Sequence, residues 1–182
     1  MTDPLLTVEK ALELFAARLA QVEASVAELA ALVARRPHIP KSQSVEWGTP
    51  LDLVAALAAE FGPFDLDAAA SDELHVCDAY FTAEMDGLAL PWFGRVWLNP
   101  PYGVGEGSWV HKTLVEVAAG RAQRVVMLVA AKTGVSWWQE LVKPAEARGD
   151  CTVRFLPGRL TFRGAKSCAP FPSAVLVFEK RV

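Results

Sequence analysis

The amino-acid sequence predicts an α/β domain whose sheet is mostly parallel with an antiparallel edge, preceded by a separate heptad-patterned helix. From residue 50 onward, short apolar segments alternate with amphipathic ones, as strands and helices do around a parallel sheet. Residues 124–131 are apolar enough for a core strand. Two strand-like segments then follow the last predicted helix with no further helix between them. This succession predicts the antiparallel edge.

The predicted elements follow a regular order along the chain. Apolar side chains line one face of the first helix of the domain, and the second strand runs directly into a proline-rich turn. We expect helices at residues 50–61, 108–119 and 136–142, strands at residues 64–69, 95–98, 124–131, 152–156 and 174–178, and a candidate strand at residues 159–163.

The first 36 residues carry a heptad repeat. Apolar side chains recur at alternating intervals of four and three residues from Val8 to Val33. So narrow a stripe is typical of a coiled-coil seam and predicts self-association as a dimer or higher oligomer. The alternative is a helix that folds back onto its own chain. Because Pro37 ends the helix, the predicted domains are a coiled-coil helix (1–36), a linker (37–44) and an α/β domain (45–182).

Composition and charge restrict the class of protein. The 182 residues are 52% hydrophobic, yet no apolar run is long enough to span a membrane. Cys77, Cys151 and Cys168 lie far apart, which predicts reduced thiols in a cytosolic protein and no metal cluster. Residues 42–102 carry 1 basic and 10 acidic side chains, whereas residues 103–182 carry 12 basic and 6 acidic ones. The basic half suggests a phosphate-facing surface, and scattered solvated charges are the alternative.

The strongest chemical signal is Asn99-Pro100-Pro101-Tyr102. It follows the strand at residues 95–98, and open α/β sheets bind ligands at the carboxyl ends of their strands. Two prolines restrict the loop, so the Asn99 side-chain carbonyl and the Pro100 backbone carbonyl can converge on a group with two N–H donors, such as an exocyclic amine. Accepting both bonds assists a delocalised amine as it attacks. Tyr102 would stack on the base. A structural proline turn is the alternative.

This motif and its surroundings resemble the phage-type DNA N6-adenine methyltransferase family. The similarity covers roughly residues 44–179 and excludes the heptad helix. The matching stretches are residues 46–50, 64–71, 80–82, 86–88, 92–102, 158–159 and 170–174. The resemblance implies a Rossmann-like class I methyltransferase sheet and an adenine-specific enzyme that methylates the N6 amine of DNA from S-adenosylmethionine. It also implies that the enzyme acts in the cytoplasm of a bacterial or phage-infected cell and requires no metal ion.

The resemblance also implies which residues bind the cofactor. Small side chains after the strand at residues 64–69 would let the cofactor approach the backbone, although alanines stand where the family has glycines. Thr49 and Pro50 are equally explained as a helix start, and Asp86 as part of a surface turn. The ribose acid is open among Asp72, Glu73 and Asp78, with Asp78 preferred. The expected cofactor-binding set is Trp47, Thr49, Pro50, Asp67, Ala68, Ala69, Asp78 and Asp86.

The expected DNA-binding residues are Arg159, Arg163 and Lys166, in a basic segment near the predicted active edge. A structural hydrogen-bonding role for Arg159 is the alternative. Three other functions fit the motif less closely. An Asn-Pro-Pro-Tyr loop could also hold a protein glutamine amide or an RNA adenine. The chain could instead be a non-catalytic coiled-coil or DNA-binding assembly protein, but an intact motif argues against that hypothesis.

Overall fold

Five strands form one mixed sheet in the part of the chain that the computed structural model describes, residues 47–103 and 105–180. The strands are β1 (Leu66–Asp67), β2 (Gly94–Leu98), β3 (Ala122–Ala130), β4 (Cys151–Phe155) and β5 (Ser173–Glu179). Their order across the sheet is β1-β2-β3-β5-β4. The first three strands are parallel, and β5 is antiparallel to both β3 and β4. The predicted antiparallel edge is thereby confirmed.

Helices flank the sheet as the sequence predicts, although some boundaries differ. The helices are α1 (Leu51–Phe61), α2 (Glu106–Ala118) and α3 (Lys143–Arg148), and a π-helical turn at Trp138–Val142 leads into α3. The prediction ended the last helix at residue 142, before Pro144. The chain instead stays helical because the Lys143 N–H donates to the Trp138 carbonyl, five residues back, a pattern that tolerates a neighbouring residue without an N–H.

The alternating side chains of β3 divide the core between the two faces of the sheet. Val125, Met127 and Val129 join the cluster under α2 and α3, whereas Val126 and Leu128 pack with α1 on the other face. All five side chains are fully buried or nearly so, which explains the unbroken apolar run in the sequence. The apolar run therefore reports a central strand covered on both sides.

The strand directions bring three loops to one edge of the sheet. Because β1, β2 and β3 are parallel, the segments after β1 and after β2 leave at the same edge. Since β4 runs parallel to β3 and β5 runs back, β4 ends and β5 begins at that edge too. The connection at residues 156–172, named here the β4–β5 loop, therefore lies beside the Asn-Pro-Pro-Tyr segment.

Some sequence predictions need correction, and others fall outside the described residues. The strand predicted at residues 64–69 is only Leu66–Asp67, because the chain turns away at Ala68. Residues 159–163 are not a strand; they belong to the β4–β5 loop, and Arg163 alone forms an antiparallel bridge with Gly48. The predicted coiled-coil helix at residues 1–36 and linker at residues 37–44 lie outside the described residues.

The structure shows the state of the three cysteines and the character of the described helices. Cys77, Cys151 and Cys168 are unpaired, in agreement with the predicted thiols. Among the described residues, the structure has no helix of the length and apolarity that a membrane crossing requires.

Candidate active site

A cavity of about 350 Å³ opens at the edge of the sheet where the three loops meet. Its lining includes most of the residues that the sequence singled out. The predicted residues that line it are Trp47, Thr49, Asp67, Ala68, Ala69, Asp86, Asn99, Pro100, Pro101, Tyr102 and Arg163. Segments as distant in sequence as residue 47 and residue 163 thus share one cavity, as the sheet topology requires.

The Asn99 side chain is held at both ends of its carboxamide. Its Nδ2 group donates a hydrogen bond of 2.7 Å to the Trp47 carbonyl. Because that carbonyl can only accept, the amide nitrogen must face Trp47 and the Oδ1 atom must point the other way. Oδ1 accepts a hydrogen bond of 2.9 Å from the Tyr102 hydroxyl. An amide oxygen has two lone pairs, so Oδ1 can still accept a bond from a second donor.

Tyr102 packs in an aromatic cluster in this structure. Its ring centroid lies 5.2 Å from that of Phe171, 5.7 Å from that of Phe162 and 6.5 Å from that of Trp47. Burial, assisted by the negative charge of Glu106, raises the pKa of the Tyr102 hydroxyl far above its ordinary value. The hydroxyl therefore remains a donor to Asn99. Stacking on a base remains a prediction, and the observed contacts show Tyr102 orienting Asn99.

Asp67 ends β1 with a buried carboxylate that faces the cavity. Burial raises the pKa of Asp67 to about 7, although backbone N–H groups of Val76 and Ala69 donate to the carboxylate at 3.2 and 3.4 Å. A carboxyl group with such a pKa is poised to lose its proton when a cation approaches. The cavity therefore contains one acid whose charge depends on what is bound.

The turn after β1 uses small residues because another backbone segment crosses it closely. A β-carbon on Gly87 would collide with the Ala68 carbonyl oxygen and press on the Trp109 ring. The Trp92 indole N–H donates to the Gly87 carbonyl at 2.7 Å, which fixes this crossing. Asp86 adopts a left-handed conformation (φ 55°), and its carboxylate accepts the Leu88 N–H at 3.1 Å. The surface turn at Asp86 therefore also forms part of the cavity wall.

Thr49 and Pro50 differ from the predicted helix start. Helix α1 begins at Leu51, Pro50 precedes it as the cap residue, and no side chain makes a capping hydrogen bond there. Thr49 is instead buried against the cavity, and Pro50 does not line it. The helix start expected at Thr49 and Pro50, with Thr49 as the N-cap and Pro50 as the first helical residue, lies one residue later. The Thr49 side chain is thereby turned to the cavity.

The remaining predicted residues lie outside the cavity lining. Asp78, the preferred ribose acid, is exposed and is not brought to the cavity; Glu73 is exposed, and Asp72 accepts a hydrogen bond from the Tyr80 hydroxyl instead. The reason is that residues 71–79 form a series of bends with these side chains turned outward. Arg159 and Lys166 are exposed on the β4–β5 loop, whereas Arg163 points into the cavity.

Several lining residues were not singled out as site residues by the sequence. They include Ser71, Leu74, Val76, Thr82 and Trp109. Trp109 lies on the first turn of α2, just after the proline motif, and its ring stacks on Trp92 with centroids 6.3 Å apart. The one sequence feature that could have identified Trp109 as a lining residue was its position shortly after the Asn-Pro-Pro-Tyr motif. The other four lie in irregular backbone, where side-chain direction has no periodicity to reveal it.

The fold and this cavity define an α/β domain of the methyltransferase type. A crystal structure of a candidate RNA methyltransferase from Pyrococcus horikoshii has the same fold, with a TM-score of 0.50, 12% sequence identity, and coverage of 85% of this chain and 98% of that one. The family model for DNA N-6-adenine-methyltransferase (Dam) matches residues 36–178. The chain therefore belongs to the DNA N-6-adenine-methyltransferase family, as its motifs predict.

Two curated relatives are similar over part of the chain. The DNA N-6-adenine-methyltransferase of Escherichia phage T1 is 35% identical over 97 residues, which is 52% of this chain and 39% of the phage protein. YfdM of Escherichia coli strain K12, a candidate methyltransferase, is 35% identical over 72 residues, 36% of this chain and 79% of that protein. The match thus spans well under half of the phage relative's length. The family and the fold imply S-adenosylmethionine as the methyl donor.

Proposed function

We propose that this chain transfers a methyl group from S-adenosylmethionine to the N6 amine of adenine in DNA, in the cytoplasm of a bacterial or phage-infected cell. The observation that carries the proposal is the Asn99 carboxamide in the cavity wall, whose nitrogen donates to the Trp47 carbonyl and whose oxygen keeps a lone pair for a second donor. Membership in the DNA N-6-adenine-methyltransferase family supports the same reaction.

The residues of the cavity suit the proposed methyl donor. S-adenosylmethionine has an ammonium and a carboxylate at one end, an adenine at the other, and a sulfonium methyl that it supplies for transfer. Burial raises the pKa of Asp67 to about 7, and the ammonium group of the donor would stabilise the ionised form of this carboxyl. Asp86 and Trp109 lie on the part of the wall near Ala68 and suit an adenine. Thr49, Ala68 and Ala69 would contact the donor, with Trp47 behind them.

The chain's own groups account for activation of the amine. Asn99 Oδ1 and the Pro100 carbonyl would each accept one N6 hydrogen bond, which draws the nitrogen lone pair away from the ring and toward the methyl carbon. Pro100 is buried and Pro101 follows it, so the loop is restrained. The N–C bond forms as the C–S bond breaks, and the amine loses one proton to solvent. No side-chain nucleophile is required.

A duplex substrate would have to deliver its adenine to this cavity. An adenine within the stack does not expose N6 to a buried donor, so the base has to leave the helix. Arg159 and Lys166 are exposed on the β4–β5 loop beside the cavity and would hold the phosphates. The basic excess of residues 103–182 agrees with such a surface.

The heptad repeat supports a second part of the proposal. Residues 1–36 would self-associate as a dimer or higher oligomer, with residues 37–44 as a linker to the methyltransferase domain at residues 45–182. The support is the sequence pattern alone, Val8 to Val33. Two or more linked catalytic domains would raise affinity for DNA through multivalency.

The reaction can be tested in cells that lack adenine methylation. DNA from such a host that expresses the wild-type chain should contain N6-methyladenine by nucleoside mass spectrometry, and DNA from cells that express Asn99→Ala should contain none. The variant should still bind S-adenosylhomocysteine with nearly wild-type affinity. If wild-type DNA is unmodified although the chain binds the cofactor product, the substrate is another amine, and glutamine peptides and RNA should then be assayed.

A further inference from the structure

Arg163 is a cation that the active-site cavity holds without a protein anion beside it. Its backbone N–H donates to the Gly48 carbonyl at 2.6 Å, so the β4–β5 loop is pinned to the segment before α1. Its side chain lines the cavity, and its Nε group is buried with no hydrogen-bond partner. Among the described residues, no carboxylate forms an ion pair with it. The terminal groups of this guanidinium can therefore bind an anionic group of a ligand in the cavity.

The position of Arg163 indicates which part of a ligand it would meet. A β-carbon on Gly48 would lie 2.9 Å from both Arg163 Nε and Leu74 Cδ2, so these two side chains meet over Gly48. Two residues beyond Leu74, the Val76 N–H donates to the carboxylate of Asp67. Arg163 and Asp67 both line the cavity and are linked through the wall segment at residues 74–76. Gly87 and Trp109 form the part of the cavity wall that lies near Ala68.

A ligand cation would stabilise the ionised form of Asp67, and a ligand anion would bind the guanidinium of Arg163. A zwitterion offers both groups. We infer that Arg163 binds the carboxylate of the amino-acid end of S-adenosylmethionine and so selects donors that retain this carboxylate. The inference rests on the proposed function, because it assumes that this cavity holds the methyl donor. Arg163 would thus serve cofactor recognition, whereas its basic sequence surroundings predict a contact with DNA.

Burial separates Arg163 from the neighbouring cations that suit DNA. Arg159 and Lys166 are exposed, and phosphates of a duplex could reach them. Arg163 is only partly exposed, and its Nε is closed to solvent. A carboxylate bound inside the cavity would meet the terminal Nη groups of Arg163, which make no hydrogen bond to the described residues, and guanidinium and carboxylate groups match in geometry.

Calorimetry with two ligands tests the inference without using activity. The full-length wild-type chain should bind S-adenosylmethionine at least tenfold more tightly than decarboxylated S-adenosylmethionine, which lacks only the carboxylate. Arg163→Gln should lose at least tenfold in affinity for S-adenosylmethionine and less than twofold for the decarboxylated compound. Arg163→Lys should recover part of the preference, because it keeps the charge but not the fork. Arg148→Gln, an exposed arginine outside the cavity lining, should bind both ligands as the wild type does.

Other results would overturn the inference. Equal losses for both ligands in a variant with a wild-type melting temperature would mean that Arg163 only shapes the cavity. Unchanged binding of both ligands with weaker DNA binding would assign Arg163 to phosphate. If the wild-type chain modifies adenine but Arg163→Gln keeps the preference, the inference fails and the proposed function stands. If the wild-type chain binds neither ligand, both fail.

Discussion

The Asn99 carboxamide reaches its working orientation through two neighbours with different parts to play. Trp47 contributes a backbone carbonyl, which side-chain substitution leaves in place, whereas Tyr102 contributes a hydroxyl that can be removed alone. The contacts in the cavity thus make Tyr102 a positioning residue for Asn99. That role can be separated experimentally from the packing of its ring.

Tyr102→Phe should lower kcat about fivefold, because it removes one neutral hydrogen bond worth roughly 1 kcal/mol. The aromatic packing against Phe162 and Phe171 should survive. We therefore expect the affinity for S-adenosylhomocysteine and the melting temperature to stay near wild type, measured by calorimetry and thermal unfolding. Tyr80→Phe is the matched control, since the chain's other tyrosine donates to Asp72 away from the cavity. A fall in affinity equal to the fall in kcat would argue against positioning.

Asp67 predicts a pH dependence with a definite sign. Its pKa of about 7 lies above the ordinary value of 3.8, so the folded, ligand-free chain holds a proton that the unfolded chain has lost. The ligand-free chain should therefore become less stable as pH rises from about 4 to 7. Binding a ligand ammonium requires the ionised form, so affinity for S-adenosylhomocysteine should rise between pH 6 and 7.5.

Calorimetry in buffers of different ionisation enthalpy can measure the proton released on binding. Release of close to one proton per site at pH 6 is the expected result, since Asp67 must ionise to meet the ammonium group. Asp67→Asn should bind weakly and lose this proton release. A pH-independent affinity in the wild-type chain would show that Asp67 does not titrate with the ligand.

At the scale of secondary-structure elements, the site depends on how closely the Asp86–Leu88 turn crosses the end of β1. Gly87→Ala should weaken S-adenosylhomocysteine binding at least tenfold, because a methyl group there collides with the Ala68 carbonyl. Overpacking of this kind costs about 1–3 kcal/mol, so the melting temperature should fall by several degrees. Gly134→Ala is the control, since a β-carbon there meets open space. Normal binding by Gly87→Ala would mean that the turn can move without harm to the site.

The sequence predicted elements well where one periodicity dominates. The core strand, the helices of the parallel part and the antiparallel return are confirmed, because burial on both faces and on one helical face leaves distinct patterns. The predictions were poorer where side chains set the chain path. The strand predicted at residues 64–69 is only β1, and the helix predicted at residues 136–142 continues past Pro144 to Arg148, because a π-helical turn precedes the proline.

From the sequence alone, the candidate site could be located only at residues that belong to a recognisable motif. The Asn-Pro-Pro-Tyr loop, Asp67 and Asp86 line one cavity as expected. Asp78, the preferred ribose acid, lies in irregular backbone outside the cavity lining, and nothing in the sequence placed Arg163 in that lining. Neither the buried Nε of Arg163 nor its pairing with Gly48 across 115 residues leaves a local pattern in the sequence.

At the scale of the whole molecule, the exposed cations of the β4–β5 loop should govern DNA affinity. Arg159→Gln and Lys166→Gln should each reduce the slope of log Kobs against log salt by about 1, measured by fluorescence anisotropy with duplex DNA. Arg148→Gln should leave it unchanged, because Arg148 precedes β4 at the opposite edge of the sheet. Equal effects of all three substitutions would indicate a diffuse electrostatic attraction with no defined DNA-facing loop.

The proposed assembly is a property of the full chain. Placing glutamates at Leu12 and Leu19 of the heptad stripe should convert an oligomer to a monomer in sedimentation equilibrium, because buried charge opposes a coiled-coil seam. Ala20→Glu, outside the stripe, should not change the mass. A wild-type chain that already sediments as a monomer would contradict the proposal.

The antiparallel strand β5 has a consequence for how such proteins can diversify. It returns the β4–β5 loop to the edge from which it left, so both ends of the loop are anchored in neighbouring strands. Residues 166–168 within it are exposed, while Phe162 and Ala169 on either side are buried anchors. Insertions between these anchors would cost little in loop-closure entropy and would leave the core unchanged. Evolution or a protein engineer could thus lengthen this one segment to read new DNA sequences while the chemistry stays the same.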